Sequence, residues 1–249
     1  DGTLMVGNQV HTPTGPGFYN SGDYCIISAN QVHSPNTQGI RQNQANKCNV
    51  FGNAMNGFKE TGILLDTSIN NNVSANSLLG TSGVTSYYGI QVISSPACLV
   101  AGNMIKYHGK GIFSTGGDQH LIIGNSIGYP SHDGIELDGR AGDGHSVLVG
   151  NMATNISHAA GSHHGIKFRG ETVVVVGNCV ADGDTTNGSG GGFYIASDHG
   201  TVMGNVAYNS GQEFDISNVS MQAGNVVVGN NDAGGATRFG RMDDADHNN

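Results

Sequence analysis

The apolar positions of this chain recur on two scales. Locally they alternate over runs of three to five residues, which predicts short strands with one apolar face. Over a longer distance the same arrangement returns at intervals of 22 to 27 residues. A small residue followed by Asn marks each return, at Asn8, Asn30, Asn53, Asn76, Asn103, Asn125, Asn151, Asn178 and Asn205, with a less regular mark at Asn225 or Asn230. Three residues before the Asn stand Ile27, Val50, Val73, Val100, Ile122, Leu148, Val175 and Val202. Two residues after it stand Val32, Met55, Leu78, Ile105, Ile127 and Val180. A second mark, Gly followed by an apolar residue, runs in phase as Gly39-Ile40, Gly62-Ile63, Gly89-Ile90, Gly111-Ile112, Gly134-Ile135, Gly165-Ile166 and Gly192-Phe193. Each repeat thus predicts three short strands. A unit this small cannot bury its own apolar face, so its stability must come from stacking on its neighbours.

These features predict an all-β chain: a single right-handed parallel β-helix of about ten coils with three short strands per coil, over residues 1–231. An acidic tail with Asp243, Asp244 and Asp246 follows over residues 232–249. Asn tolerates left-handed backbone, and its amide can bond to the same amide one coil on. At ~4.8 Å per coil the rod is roughly 50 Å long. The Asn and Gly-Ile marks resemble the right-handed parallel β-helix repeat of pectate-lyase-like proteins, of periplasmic NosD-type repeat proteins and of phage tailspikes. The resemblance runs over about residues 5–230. It implies the fold and leaves the activity to be argued from the site.

Composition narrows the classes. With 10 Lys and Arg against 19 Asp and Glu, the net charge of −9 makes nucleic acid an unsuitable partner. No stretch approaches the ~20 apolar residues of a membrane span. There is no Gly-rich phosphate cradle between a strand and a helix. Few Lys and many Asn, Gly and Ser point to an extracellular or virion-surface location. Cys25, Cys48 and Cys98 each stand five residues before the Asn mark and share an inward column of buried thiols. The disulfide state of Cys25 and Cys48, on adjacent coils, stays open at this point. The first coil has no polar cap of its own, which implies a capping partner chain or a trimmed end.

Only 12% of residues are charged, so their clustering on the Gly-Ile strand is informative. Glu136 and Asp138 are two apart on one strand, so both side chains point the same way, ~7 Å apart at the backbone. The next coil places Lys167 beside Glu136 and Arg169 beside Asp138. Phe113 and Tyr194 flank the charges, and His132, Asp133, His163 and His164 approach from the preceding turn. Arg140 belongs to an extended turn that can wall the groove, and Asp66 is an alternative carboxylate. Aromatic platforms beside carboxylates and cations suit a polysaccharide, because sugar rings stack on aromatics and charged groups fix their hydroxyls.

Two chemistries fit these residue types. In glycoside hydrolysis, placed first here, Glu136 and Asp138 act as acid and base. In elimination, Arg169 or Lys167 neutralises a uronate carboxylate while His164 or Lys167 takes the C5 proton. The sequence around Lys167 and Arg169 faintly resembles the Lys/Arg pairs of β-helix alginate and chondroitin lyases. The third reading is structural, with Glu136–Lys167 and Asp138–Arg169 as cross-coil ion pairs on a solvated sheet. The function expected is therefore an extracellular polysaccharide-binding, glycan-cleaving β-helix similar to a tailspike depolymerase. The rival is a non-enzymatic rod of a virion or surface fibre. Outward Leu64, Ile93 and Phe113 imply a homo-oligomer, a parallel trimer. No cofactor is implied by the site residues. Asp182, Asp184 and Asn187 resemble an off-register Ca²⁺ loop.

Overall fold

The computed structural model describes residues 2–81, 87–139, 145–156, 163–182, 191–208, 212–217, 221–223, 226–228 and 238–239. Among them there is no helix, and every strand pairing is parallel. The chain winds as a parallel β-solenoid with three faces. The Gly-Ile strands stack in register on one face, so that Ile40, Ile63, Ile90, Ile112, Ile135, Ile166 and Phe193 follow one another inward, each fully buried. On the second face Ile27, Val50, Val73, Val100, Ile122, Leu148, Val175 and Val202 form the facing column. The third face is a ten-stranded sheet whose inward column includes Val32, Met55, Leu78, Ile105 and Ile127. Three apolar columns meet at the axis, and the core is continuous along the rod.

Two long strands, His164–Val176 and Gly191–Met203, run without a break from the first face into the second. Elsewhere a turn separates those faces. Near the end, Arg238–Phe239 pairs with Asp215–Ile216, so the stacking extends into the segment assigned above to the acidic tail.

The Asn column is a continuous ladder. From Asn8 to Asn178 each Nδ2 donates to Oδ1 of the Asn one coil on, ending at Asn205, at 2.9–3.0 Å. The same oxygen also accepts from the main-chain N–H of the preceding Asn, and Nδ2 donates again to a carbonyl one coil back, as in Asn125 to Val100. From Asn30 onward these amides are buried yet hydrogen-bonded, which removes the penalty of burying them. One expectation is corrected here. The residue in left-handed backbone is not the Asn but the small residue before it, with φ between 53° and 70° at Gly7, Ala29, Gly52, Ala75, Gly102, Gly124, Gly150, Gly177 and Gly204. The Asn is then free to point inward.

The cysteines follow the inward column, with Cys25, Cys48 and Cys98 buried and all four thiols free. Cys25 and Cys48 share their corner with Asn20, whose Oδ1 accepts from the Cys25 thiol at 3.1 Å.

Candidate functional site

The Gly of the Gly-Ile mark has a steric reason. A Cβ on Gly111 would lie 2.3 Å from the carbonyl oxygen of Gly134, and one on Gly134 would lie 2.5 Å from that of Gly165. The same clash recurs from Gly17 to Gly89. Bare backbone therefore lets successive coils close up at this corner. The residues just before these glycines, Lys110, Asp133 and His164, are thereby stacked on three consecutive coils.

Three positions further along, Phe113, Glu136, Lys167 and Tyr194 stand opposite one another in register, and Asp138 stands opposite Arg169. Lys167 Nζ donates to Glu136 Oε1 at 2.9 Å and lies 3.7 Å from Asp133 Oδ2. Lys110 Nζ closes on the other Glu136 oxygen, Oε2. The His164 main-chain N–H donates to Asp133 Oδ1 at 2.7 Å, and His164 Nδ1 lies 3.7 Å from the same oxygen. Charge thus alternates across three coils: Lys110, then Glu136 with Asp133, then Lys167. Glu136 and Asp133 are only 4% and 2% exposed, so this network is enclosed rather than lying on a solvated sheet.

Aromatic rings frame the network. Tyr88 and Phe113 stack with centroids 5.2 Å apart, and the Lys110 ammonium sits 4.4 Å above the Phe113 ring. On the other side the Arg169 guanidinium lies 5.3 Å from the Tyr194 centroid, a cation–π contact, and His164 and Tyr194 rings are also 5.3 Å apart. His132 meets His163 edge to face at 4.6 Å.

The electrostatics assign roles. Burial alone would raise the Asp133 carboxyl, but the His164 side chain, the Lys167 ammonium and the His164 N–H outweigh it and hold it well below the usual range. Burial and then the neighbouring His163 lower the His132 imidazole, so it is neutral at neutral pH. Lys110 and Lys167 thus place an ammonium on each Glu136 oxygen, and Lys167 faces Asp133 as well.

Of the expected site residues, the structure brings together Phe113, His132, Asp133, Glu136, Asp138, His164, Lys167, Arg169 and Tyr194. Asp66 stands apart. It pairs with Arg41 at 3.1 Å, three coils from Asp138, or ~14 Å along the stack. Arg140, Asp184 and Asn187 lie outside the described residues. Lys110 is the member that the outward columns left out. The signal for it was present: it stands directly before a Gly mark, as Asp133 and His164 do. The apolar positions that suggested a bundle are partly covered within the chain, since Leu64 is 7% exposed and Phe113 is covered by Tyr88 and Lys110.

Coil, ladder and stacked faces define a parallel β-helix repeat protein. The family model described as "Periplasmic copper-binding protein (NosD)" matches residues 1–143, more than half of the chain, and the chain belongs to that family. Among solved structures, an alginate lyase from Paenibacillus sp. str. FPU-7 is similar over 91% of this chain and 77% of its own, at 15% identity and a TM-score of 0.50. That likeness is one of fold. The plasmid-mediated fluoroquinolone resistance protein QnrB1 aligns over 88% of this chain and 91% of its own at 12% identity, but its TM-score of 0.25 carries no argument. No curated protein matches.

The family description names copper. Among the described residues no three His, Cys, Asp or Glu side chains converge to hold an ion. Burial pushes the Cys48 and Cys98 thiols up to about 11, which withholds the thiolate form that a metal takes. These residues do not fit a copper ion, and no step is routed through one. Among the described residues no helix is long and apolar enough to cross a membrane.

Proposed function

We propose that this chain binds an acidic polysaccharide along its Gly-Ile face and cleaves it by β-elimination at the Lys110–Glu136–Lys167–His164 network. The observation that carries this reading is the pair of lysines on Glu136. A glycosidase acid must be held protonated, whereas Asp133 is held ionised and Glu136 sits between two ammonium groups. Elimination calls for groups of the kinds found here: cations for a uronate carboxylate, an imidazole as base, and flanking rings for the sugar faces. Arg169 would meet the substrate carboxylate, and Tyr194 and Phe113 would stack on neighbouring sugars. His164 would take the C5 proton, oriented by Asp133. The C5–H electrons form the C4=C5 double bond, the C4–O bond breaks, and the departing oxygen takes a proton from water. One protein with this coil is an alginate lyase, which is compatible with the reading, and the family's periplasmic description fits a site of action outside the cytoplasm.

The competing reading is a non-catalytic rod of a virion or surface fibre. It is favoured by the same pairing, since an ammonium on each Glu136 oxygen also locks coil register. A panel of acidic and neutral polysaccharides separates the two. Ultraviolet absorbance of an unsaturated uronide reports elimination, and new reducing ends without that absorbance report hydrolysis. Binding without either leaves a recognition module, and no binding leaves the rod.

A further inference from the structure

The second face changes character halfway along the rod. In its later coils the strands read Leu99-Val100-Ala101, Leu121-Ile122-Ile123, Val147-Leu148-Val149, Val174-Val175-Val176 and Thr201-Val202-Met203, in register across five coils. The middle residue of each points into the core. The outer two form columns, Leu99, Leu121, Val147, Val174 and Thr201 beside Ala101, Ile123, Val149, Val176 and Met203, all partly exposed and none charged. In the earlier coils the same columns mix apolar and polar residues, Leu4, Ile26, Asn49 and Asn72 beside Val6, Ser28, Phe51 and Ser74. Strands that are apolar on both sides are what a sheet covered on both faces requires, whereas a solvated sheet alternates.

We infer that this apolar face is a two-fold interface with a second copy of the chain. Five coils at ~4.8 Å make a flat strip ~24 Å long, and sheets close face to face at ~10 Å. Columns that repeat at every coil present the same ridges in both directions, so the strip can meet a copy of itself across a two-fold axis lying in the plane of contact. Ten partly exposed side chains amount to a few hundred Å², the size at which a patch on a monomer marks a binding face. That is the apolar centre needed by an interface of ~800 Å² per partner. The strip is uncharged, so two chains of net charge −9 bring no like charges into the contact. The first face, with the Lys167 network, stays open in such a dimer.

Sedimentation equilibrium across the micromolar range tests this. The expected result is a dimer for the unaltered chain and a monomer for Val147→Lys combined with Val174→Lys. Met104→Lys, on the exposed third face, should leave the dimer intact. Val147→Thr keeps the side-chain shape and should weaken association by about tenfold, or about 1.4 kcal/mol; it serves if the double variant fails to fold. A wild-type monomer throughout, a trimer, or a dimer indifferent to these substitutions would overturn the inference.

Discussion

Lys167 reaches back across one coil to hold Glu136 at 2.9 Å, although 31 residues of chain separate them. Both carboxylates that Lys167 faces are buried, so its removal strands charge rather than merely deleting a contact. Lys167→Met is expected to cost about 3 kcal/mol. Arg41→Met, which breaks the half-exposed Arg41–Asp66 pair of the same face, should cost less than about 1 kcal/mol. Urea unfolding of the two variants checks this, and equal losses would mean that the network is effectively solvated.

The choice between elimination and hydrolysis turns on two substitutions. His164→Asn should lower uronide formation by about 10²- to 10⁴-fold, the usual contribution of a positioned base. Glu136→Gln should leave the chemical step within about tenfold, because Glu136 holds lysines rather than moving a proton. Loss of all cleavage in Glu136→Gln, with His164→Asn unaffected, would restore the hydrolytic reading.

Acid sensitivity should come from inside the coil. His108 and His120 are buried, and burial lowers both imidazoles to about 4. His120 Nε2 shares a hydrogen bond with Ser114 Oγ at 2.8 Å, while neither His108 ring nitrogen has a partner. The unfolded chain binds these protons near 6.5 and the folded chain only near 4. Stability is therefore full above about pH 6.5 and falls as the pH drops towards 4, by up to about 3 kcal/mol per histidine. Denaturation midpoints at pH 7, 5.5 and 4 would show the slope. His108→Leu should remove about half of it, and an unchanged slope would locate the effect elsewhere.

The ladder predicts a large effect from a small change. Asn125→Ala removes the donor to Asn151, the acceptor of Asn103 and the bond to Val100. Leaving such buried groups unmatched costs about 1–3 kcal/mol each. Asn72, on an outward column and paired only through Asn49 at 3.3 Å, should tolerate Ala within about 0.5 kcal/mol. Thermal melts of the pair would expose the difference or its absence.

At the glycine corner, Gly111→Ala forces a Cβ onto the Gly134 carbonyl. Gly102→Ala adds a Cβ in open space, at the price of left-handed backbone that Ala29 and Ala75 already adopt. The first should cost at least about 2 kcal/mol and the second about 1 kcal/mol. Because Gly111 adjoins Lys110, Gly111→Ala should also weaken glycan binding; retention of full stability would show that the coils can part there.

Spacing alone gave the coil, the inward columns and the Glu136–Lys167 register, because a solenoid turns distance along the chain into adjacency. Depth was not legible in the same way. Outward parity suggested a solvated side chain at Glu136, and only the close approach of coils at Gly111 and Gly134 shows why it and Asp133 are enclosed. Lys110 shares its column with Asp133 and His164, but its part in the network is visible only in its contact with Glu136. The uncharged strip from Leu99 to Met203 is legible in the chain as the residues on either side of the inward column.

Every amide from Asn8 to Asn178 hands its hydrogen in the same direction, towards the later coil. Such a one-way chain of donors can lose or gain an entire turn and still close without an orphaned group, whereas removal of part of a turn leaves one. Length is therefore an adjustable property of this rod, in steps of a single winding.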